Sequence, residues 1–472
     1  GIATVLAARF LRVHNEVEEL NQDLERKVEE RTLELQKSLN EVRELKVQQD
    51  GDYYLTSLLI HPLGGNFARS ENVDIDMLVR QKKRFTFRKW ESEIGGDLCT
   101  AHTIELKGRA YTVFLNGDAM GKSMQGAGGA LVLGVVFKSV INRTRLSSHA
   151  RNKRPERWLK DCFVELQNIF VTFDGSMLIS AVMGLVDDEN GLMYYINAEH
   201  PWVVLYREGR ASFIEESLLL RKIGISGLEG FLQVRTFSLR QGDVIIVGSD
   251  GRDDILDGVD ASGGRVINED EYLFLGRVEE GRGMLPEIEN AVLAHGALTD
   301  DFTMVRIAYK EDRALPAPPA PQLENRIGQA RSMLVTSPAA AEKELLSVLA
   351  EDPHNGEVLL ELARHFYRQK QYPQAAEFYL RFVAVDPADT EVLVRAAYSC
   401  KLAGRLDDAI DLGESVRLRA RSHANNLINL ADAYRLDGSS ERARMILEEA
   451  RTFDPDNEQL RKLDGLIAAA AG

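Results

Sequence analysis

The sequence predicts a multidomain protein with a long N-terminal helix, a central α+β domain and an all-helical repeat array at the C-terminus. Three observations support this. Residues 13–45 contain neither Gly nor Pro, residues 51–309 alternate short β-rich runs with Gly and Asp, and residues 323–472 carry alanines at a fixed period. A chain of 472 residues, 44% of them hydrophobic, is long enough for two to four domains with cores of their own.

The first element, a helix over residues 13–45, has the apolar spacing of a coiled coil. The heptad positions are Val17, Leu20 and Leu24, then, after a displacement of four residues, Val28, Leu35, Val42 and Leu45. Such a displacement is a stutter, which coiled coils tolerate. We expect residues 1–50 to form a signalling helix that dimerises as a two-stranded coil. A lone helix packed on its own domain is the alternative.

Residues 51–312 are predicted to form the α+β domain. Runs of β-branched and aromatic residues bounded by Gly and Asp indicate strands. They lie at 110–115, 192–196, 202–206, 243–247 and 302–307. Two helices, over about 126–145 and 155–170, interrupt the strands. Because the helices are grouped and do not alternate with the strands, a doubly wound sheet is excluded.

A proline-rich linker, residues 313–322, precedes a helical repeat domain over residues 323–472. The linker should extend as polyproline II. Alanines recur every 34 residues, at Ala363, Ala397 and Ala431, and at Ala341, Ala375, Ala409 and Ala443. This period, with small residues at helix contacts, is typical of tetratricopeptide repeats (TPR). The repeat before Pro353 is weak, and three good ones run from His354 to Pro455.

Charge and cysteine usage narrow the functional class. With 58 Lys+Arg against 73 Asp+Glu, the net charge is −15, which disfavours nucleic-acid binding. Three scattered cysteines argue against a disulfide framework or a zinc site and indicate a cytoplasmic location. The sequence contains no run of eighteen apolar residues, so we expect no membrane span within it, and residues 1–11 lack the features of a signal peptide. Since the sequence does not begin with Met, we expect a piece of a longer protein, with a membrane-embedded sensor upstream as one option.

Four Asp-bearing motifs of the central domain place carboxylates at strand ends. They are Gly95-Gly-Asp97, Gly117-Asp-Ala-Met-Gly-Lys122, Ser249-Asp-Gly251 and Thr299-Asp-Asp-Phe-Thr303. Carboxylates at the ends of several strands can converge on one point, and hard Mg²⁺ or Mn²⁺ prefers oxygen ligands. Neighbouring glycines would let the backbone approach an ion and expose a carbonyl, here that of Ala119. The motifs therefore predict a two-metal site with oxygen ligands only.

The ordered set GGD, GDxxGK, a Gly/Ala-rich helix, NAxHP, SDG and DDxT resembles the PPM-type metal-dependent serine/threonine phosphatases of the SpoIIE/RsbU-like branch. The resemblance covers residues 85–309. It implies a β-sandwich flanked by helices, two Mn²⁺ or Mg²⁺ ions, and hydrolysis of phosphoserine or phosphothreonine by metal-activated water. The implied site residues are Asp97 and Asp118 as bridging ligands, the Ala119 carbonyl, Asp250, and Asp300 with Asp301 beside it. Lys122 is a candidate phosphate contact, and no general acid is identified.

The same resemblance implies regulation. In this branch the two helices over Met124–Arg145 and Pro155–Phe170 act as a switch, and we hypothesise that the coil repositions them. The chain departs from the branch at Glu199, where Gly is usual, and at Ser249, where Thr is common. His200 either approaches the metal site or satisfies a turn, and we favour the turn.

Taken together, these features predict a bacterial signalling phosphatase, cytoplasmic or the cytoplasmic part of a membrane-anchored protein. By resemblance, its substrate is a phosphorylated regulatory protein such as an anti-sigma-factor antagonist, and the TPR groove recruits a protein or peptide. A catalytically silent scaffold is the first alternative, disfavoured because every ligand Asp is present. A GGDEF-type nucleotidyl cyclase is the second, disfavoured because Leu98-Cys99 follows Gly95-Gly-Asp97.

Overall fold

The computed structural model of the chain describes residues 1–121, 123–227, 232–259, 265–268, 270–311 and 321–470. It divides into two compact units, Gly1–Leu59 with Arg84–Ile94, and Ile60–Lys83 with Gly95–Gly472. Lys122 and most of the proline-rich linker lie outside the described residues. The boundaries at 312 and 322 therefore stay predictions.

Sixteen strands and fifteen helices are present in the part of the chain that is described. The strands are β1 (Gly65–Phe67), β2 (Val73–Arg80), β3 (Lys83–Phe87), β4 (Trp90–Ile94), β5 (Asp97–Leu106), β6 (Arg109–Ala119), β7 (Ile179–Asp187), β8 (Leu192–Ala198), β9 (Val204–Arg207), β10 (Arg210–Phe213), β11 (Arg235–Ser238), β12 (Val244–Gly248), β13 (Ile255–Val259), β14 (Arg265–Ile267), β15 (Ala297–Leu298) and β16 (Phe302–Tyr309). The helices are α1 (Ile2–Ile60), α2 (Met124–Leu146), α3 (Ser148–Arg151), α4 (Pro155–Phe170), α5 (Tyr272–Glu280), α6 (Leu285–Leu293), α7 (Pro321–Thr336), α8 (Pro338–Glu351), α9 (Gly356–Arg368), α10 (Tyr372–Val385), α11 (Thr390–Leu402), α12 (Leu406–Arg419), α13 (Ala424–Leu436), α14 (Ser440–Phe453) and α15 (Glu458–Ala470). Every strand run inferred from the sequence corresponds to one of these strands.

The first unit consists of α1 and the hairpin of β3 with β4. Helix α1 continues ten residues beyond the predicted end at residue 50 and passes through Gly51. Ring contacts with the hairpin account for this, because Tyr53 lies 5.7 Å from Phe85 and Tyr54 lies 4.9 Å from Phe87, centroid to centroid. Tertiary packing therefore outweighs the low helix propensity of glycine at this point.

The second unit contains a β-sandwich. One sheet has the strand order β1-β5-β6-β7-β8-β11 and the other has the order β10-β9-β12-β16-β2. One core fills the space between the sheets, a second lies between the first sheet and helices α2 and α4, and a third lies between the second sheet and helices α5 and α6. This four-layer arrangement confirms the predicted sandwich flanked by helices.

Helix α2 is long and apolar enough, by length and composition alone, to cross a membrane. Half of its most apolar window is buried inside the protein, and it packs on β5 and β6. Its glycines make that packing close, since a Cβ at Gly129 would lie 2.6 Å from the Ala119 Cβ and one at Gly134 would lie 2.9 Å from the Leu63 Cβ. The helix is therefore a core element of the sandwich.

Helices α7 to α14 form four antiparallel pairs, and α15 packs against the last of them. The seven alanines of the 34-residue period are all fully buried. This confirms the repeat prediction, because each alanine lies where two helices pack closely. The pair α7–α8, whose sequence signal is weak, completes the array by packing against α9.

The repeat array is docked on the sandwich through α12, which packs on α4. Arg419 at the end of α12 binds Glu156 at the start of α4, with 2.6 Å between Nε and Oε1. The backbone N–H of Val234 donates to the Leu418 carbonyl at 2.8 Å. The TPR array and the second of the two predicted switch helices therefore share a buried interface.

Candidate metal centre

The centre of the candidate site is the pair Asp97 and Asp118. Strands β5 and β6 are antiparallel, and their register places Asp97 directly opposite Asp118. Residues opposite each other in a ladder point to the same face of the sheet. Asp97 is buried, and Asp118 is partly exposed.

The carbonyl of Ala119 lies beside this pair and has space around it. The Ala119 N–H donates to the Gly96 carbonyl at 3.0 Å. A Cβ at Gly96 would lie 2.5 Å from the Ala119 oxygen, and one at Gly126 would lie 3.2 Å from it. Only glycine at position 96 therefore keeps this oxygen clear, which explains the second Gly of the GGD motif.

The second sheet brings the remaining carboxylates. Asp250 opens a short 3₁₀ turn directly after β12, and Asp300 and Asp301 precede β16. Asp301 is held by the backbone, since its Oδ1 accepts from the Lys82 N–H at 2.7 Å and its Oδ2 from the Gly96 N–H at 2.8 Å. Asp300 is exposed, and its Oδ1 accepts from the Asp301 N–H. The two neighbours thus differ, with Asp301 fixed in the scaffold and Asp300 open to solvent.

The carboxylates are close enough that each of Asp97, Asp118 and Asp250 has its pKa raised by acidic neighbours. Burial, then Asp118 and Asp301, hold the pKa of Asp97 well above its usual value. Burial, then Asp300 and Asp301, raise the pKa of Asp118 to about 6. Burial, then Asp118 and Asp254, raise the pKa of Asp250 to about 7. Like charges brought together out of water favour protonation or a bound cation.

The donor chemistry of this cluster fits hard divalent cations, because it offers carboxylate oxygens and one cleared carbonyl. Within the described ranges, no three His, Cys, Asp or Glu side chains are close enough together to form a closed metal-binding group. The assignment of individual ligands to a metal ion stays a prediction.

A hydrogen-bond chain behind Asp97 joins the two sheets. The Thr303 hydroxyl donates to Asp97 Oδ2 at 2.8 Å, the Asn116 amide donates to Thr303 Oγ1 at 3.0 Å, and Nε2 of His200 lies 2.6 Å from Asn116 Oδ1. Burial, with Arg252 and Lys222 nearby, lowers the pKa of His200 to about 3. His200 is therefore neutral and buried, and it positions Asn116.

The turn that carries His200 also explains the departure at position 199. Glu199 has φ = 50°, in the left-handed region where glycine is favoured. Its carbonyl accepts from the Ser180 hydroxyl at 2.9 Å, and its carboxylate pairs with Arg221 at 2.8 Å. The glycine usual in the resembled branch would adopt this conformation without strain.

Sequence reasoning missed Lys222, which faces the acidic cluster. Its charge lowers the pKa of both Asp118 and Asp250. No motif surrounds it, since it lies in an irregular segment before β11 that comes to the site only through tertiary folding. Lys122, the sequence-based candidate for a phosphate contact, is outside the described residues.

A family model described as Stage II sporulation protein E (SpoIIE) matches residues 108–310, and a tetratricopeptide repeat model matches residues 327–397. Among solved structures, the chain is similar to the RsbU and RsbW domains of a Mycobacterium tuberculosis protein, with 16% identity over 57% of this chain and 70% of that chain and a TM-score of 0.38. It is also similar to the PP2C phosphatase domain of SpoIIE from Bacillus subtilis with a fragment of its regulatory domain, with 15% identity over 51% of this chain and 64% of that chain and a TM-score of 0.39. The SiaA-PP2C domain of Pseudomonas aeruginosa has 14% identity over 58% of this chain and 98% of that chain, with a TM-score of 0.39. No curated protein matches the chain at a significant level. The two family models match the sequence directly, and they identify a SpoIIE domain at residues 108–310 and tetratricopeptide repeats at residues 327–397.

Proposed function

We propose that this protein hydrolyses phosphoserine or phosphothreonine on a phosphorylated regulatory protein. Its residues 108–310 belong to the SpoIIE family of protein serine/threonine phosphatases. The observation that carries the proposal is the acidic cluster, in which Asp118 lies opposite Asp97 across the β5–β6 ladder and raises the pKa of both Asp97 and Asp250. An anti-sigma-factor antagonist is the class of substrate that the family resemblance suggests.

Two Mn²⁺ or Mg²⁺ ions would be held by Asp97, Asp118, the Ala119 carbonyl, Asp250 and Asp300, with Asp301 fixing the loop that carries Asp300. Such ions, when bound, lower the pKa of water towards ~7 and stabilise negative charge on phosphoryl oxygens. Lys222 and Lys122 are the cations we propose for orienting the phosphate. Thr303, Asn116 and His200 position the carboxylate of Asp97.

Regulation through the N-terminal helix and the switch helices is the second part of the proposal. The seven heptad side chains of α1 are all at least half exposed in the single chain, as expected for a surface that a second copy covers. We propose that α1 forms the homodimeric coil and that its state reaches the site through α2 and α4. Docking of α12 on α4 supports a further route, by which a protein or peptide bound to the TPR array acts on the same helix. We place this activity in the cytoplasm.

Hydrolysis of a phosphoserine peptide and of p-nitrophenyl phosphate tests the proposal, measured with Mn²⁺, with Mg²⁺ and with EDTA. We expect metal-dependent turnover that Asp118→Asn reduces at least about a hundredfold, because loss of a group that only supports a metal ligand already costs 10–100-fold. Asp174→Asn is the matched control, since Asp174 is exposed and its left-handed backbone suits Asn.

A catalytically silent phosphatase-fold TPR scaffold is the second candidate, and metal-dependent turnover distinguishes the two. Full activity in EDTA, or in Asp118→Asn, would contradict the two-metal phosphatase. No turnover with either metal, together with no Mn²⁺ binding in calorimetry, would establish the scaffold.

A further inference from the structure

A buried arginine with unused donors lies two positions after Asp250. The Arg252 side chain is fully buried, and its Nε donates to Asp253 Oδ2 at 3.0 Å. Its two outer nitrogens, Nη1 and Nη2, have no hydrogen-bond partner among the residues that the structure describes. Removing a guanidinium from water without satisfying its N–H groups is unfavourable, so buried arginines normally have these donors bound.

The guanidinium of Arg252 lies in a layer separate from the acidic cluster. Its Cζ is 4.6 Å from the ring centroid of Phe274 on α5, within the layer between the second sheet and helices α5 and α6. Asp250, by contrast, has Asp118, Asp254 and Asp300 as its charged neighbours. The charge of Arg252 acts on Asp253, Glu215 and His200. None of these three is a carboxylate of the acidic cluster, so the outer donors of Arg252 are available to a site outside that cluster.

Arg252 lines a cavity of about 190 Å³. The other lining residues are Ile255, Asn268, Leu273, Phe274, Arg277, Val292 and His295. Since a water takes up about 30 Å³ of liquid, this volume suits a ligand of five or six non-hydrogen atoms.

Two guanidinium groups, those of Arg252 and Arg277, supply the positive charge of the cavity wall. Arg277 contributes a second guanidinium, whose Nη1 is 3.1 Å from Glu280 at the surface. His295 donates from Nδ1 to the Ala291 carbonyl at 2.8 Å, which leaves Nε2 of the neutral ring as an acceptor. Asn268 uses its amide on the carbonyls of Asp253 and Asp270 and so shapes the wall. Asp253, a buried carboxylate beside these groups, accepts from Arg252 Nε through Oδ2, and its Oδ1 has no hydrogen-bond partner in the described part of the chain.

We propose that this cavity binds a small tetrahedral oxyanion, namely inorganic phosphate or the phosphoryl group of a small phosphate monoester, with Arg252 as its main ligand. Two guanidinium groups supply donors to the oxygens of such an anion, and Nε2 of the neutral His295 ring can accept from the P–OH group of a hydrogen phosphate. The buried apolar part of the wall, from Ile255, Phe274 and Val292, lowers the local polarity and strengthens the charge-assisted bonds.

Phosphate binding to the full chain in EDTA, followed by isothermal titration calorimetry, tests this proposal separately from the phosphatase activity. Binding at the acidic cluster requires metal ions, whereas binding at Arg252 does not. We expect one phosphate per chain in EDTA, a loss of affinity of at least tenfold in Arg252→Met, and a several-fold loss in Arg277→Gln. Arg210→Gln, an exposed change outside the cavity, should bind as the parent does.

Comparing the affinities of inorganic phosphate, phenyl phosphate and acetate defines the class of anion. Tighter binding of inorganic phosphate than of phenyl phosphate would assign the free ion, and the reverse order would assign a phosphate monoester; both support the site. Acetate binding as tight as phosphate would overturn the tetrahedral class. Absence of metal-independent binding, or binding unchanged in both Arg252→Met and Arg277→Gln, would overturn the site itself. Arg277→Gln keeps the test informative if Arg252→Met does not fold, because Arg277 lies at the cavity's outer edge.

Discussion

Two groups of buried acids in the second unit have opposite electrostatics. At the α4–α12 interface, burial alone would raise the pKa of Asp411, but Arg154, Lys107 and Arg157 together hold it below its usual value. In the candidate metal centre, burial and neighbouring carboxylates act together and raise the pKa of Asp97 and Asp118. The first group is neutralised by the protein itself, and the second is not.

This difference distinguishes buried acids that stabilise the fold from buried acids that form a functional site. A buried acid with its own cations is costly to disturb, because removing one partner leaves the other charged group unpaired. A cluster of acids without enough cations destabilises the fold and persists only where something else neutralises it, which is why strongly perturbed groups concentrate at functional sites. The interface is therefore expected to lose stability when an acid or its partner is neutralised, and the metal centre to gain it.

The largest effect is expected at Arg419. Its side chain and that of Glu156 are 4% and 2% exposed, and Arg419 also donates to the Pro387 carbonyl at 2.7 Å. Arg419→Met leaves Glu156 buried without its cation and should lower the free energy of unfolding by about 3–5 kcal/mol. Urea unfolding followed by circular dichroism measures this change.

Arg444→Met is the control for Arg419, since Arg444 is exposed on α14 and should change stability by less than about 0.5 kcal/mol. Adding Glu156→Leu to Arg419→Met removes the orphaned charge and should recover part of the loss. Equal stability of Arg419→Met and the control would show that the interface does not depend on this pair.

His102 provides an intermediate case, because it is buried and the charged groups that act on it in the described part of the chain, Arg145 and Lys138, are cations. Burial, then Arg145 and Lys138, lower its pKa to about 4, and its ring stacks on Phe67 at 5.1 Å. Between pH 6.5 and 4 the His102 ring binds a proton in the unfolded chain but not in the folded chain. The contribution of His102 to the free energy of unfolding is therefore fully present above pH 6.5 and is lost as the pH falls towards 4. The loss attributable to His102 should reach about 2–3 kcal/mol near pH 4.

The pH profile of His102→Gln tests this assignment. The difference in unfolding free energy between parent and variant should change between pH 7 and pH 4, whereas the exposed control His354→Gln should track the parent. Parallel profiles for parent and His102→Gln would contradict a neutral, buried histidine at this position.

Periodic and ordered motifs made much of this molecule predictable. The alanine period identified the TPR helices because a helix contact tolerates only a small residue, as at Ala363 and Ala397. The motif order identified the sandwich and brought Asp97 and Asp118 to one face, because directly opposed residues of a hairpin must share a face. Local sequence suffices wherever the constraint is local.

Features that depend on long-range packing were missed. Gly51 is a helix breaker by propensity, and only the rings of Phe85 and Phe87 explain a helix through it. Lys222 and Arg252 have no sequence signal, since their roles depend on neighbours far away in the chain. The turn favoured for His200 is present, but its buried ring also positions Asn116 behind the metal centre, which a motif alone does not reveal.

The smallest effect gives the sharpest contrast, because the same substitution should act with opposite sign in the two groups. In EDTA at pH 7, Asp411→Asn removes the partner of three cations and should lower stability by about 1–2 kcal/mol. Asp118→Asn removes one charge from the acidic cluster and should raise stability by about 1 kcal/mol, a figure reduced for the partial exposure of Asp118. Urea midpoints of the two variants and the parent measure both changes in stability.

With Mn²⁺ present, the parent should gain stability over Asp118→Asn, because the ion binds the folded state and Asn weakens its site. Destabilisation by both variants in EDTA would mean that Asp118, like Asp411, is part of a group that the protein neutralises itself.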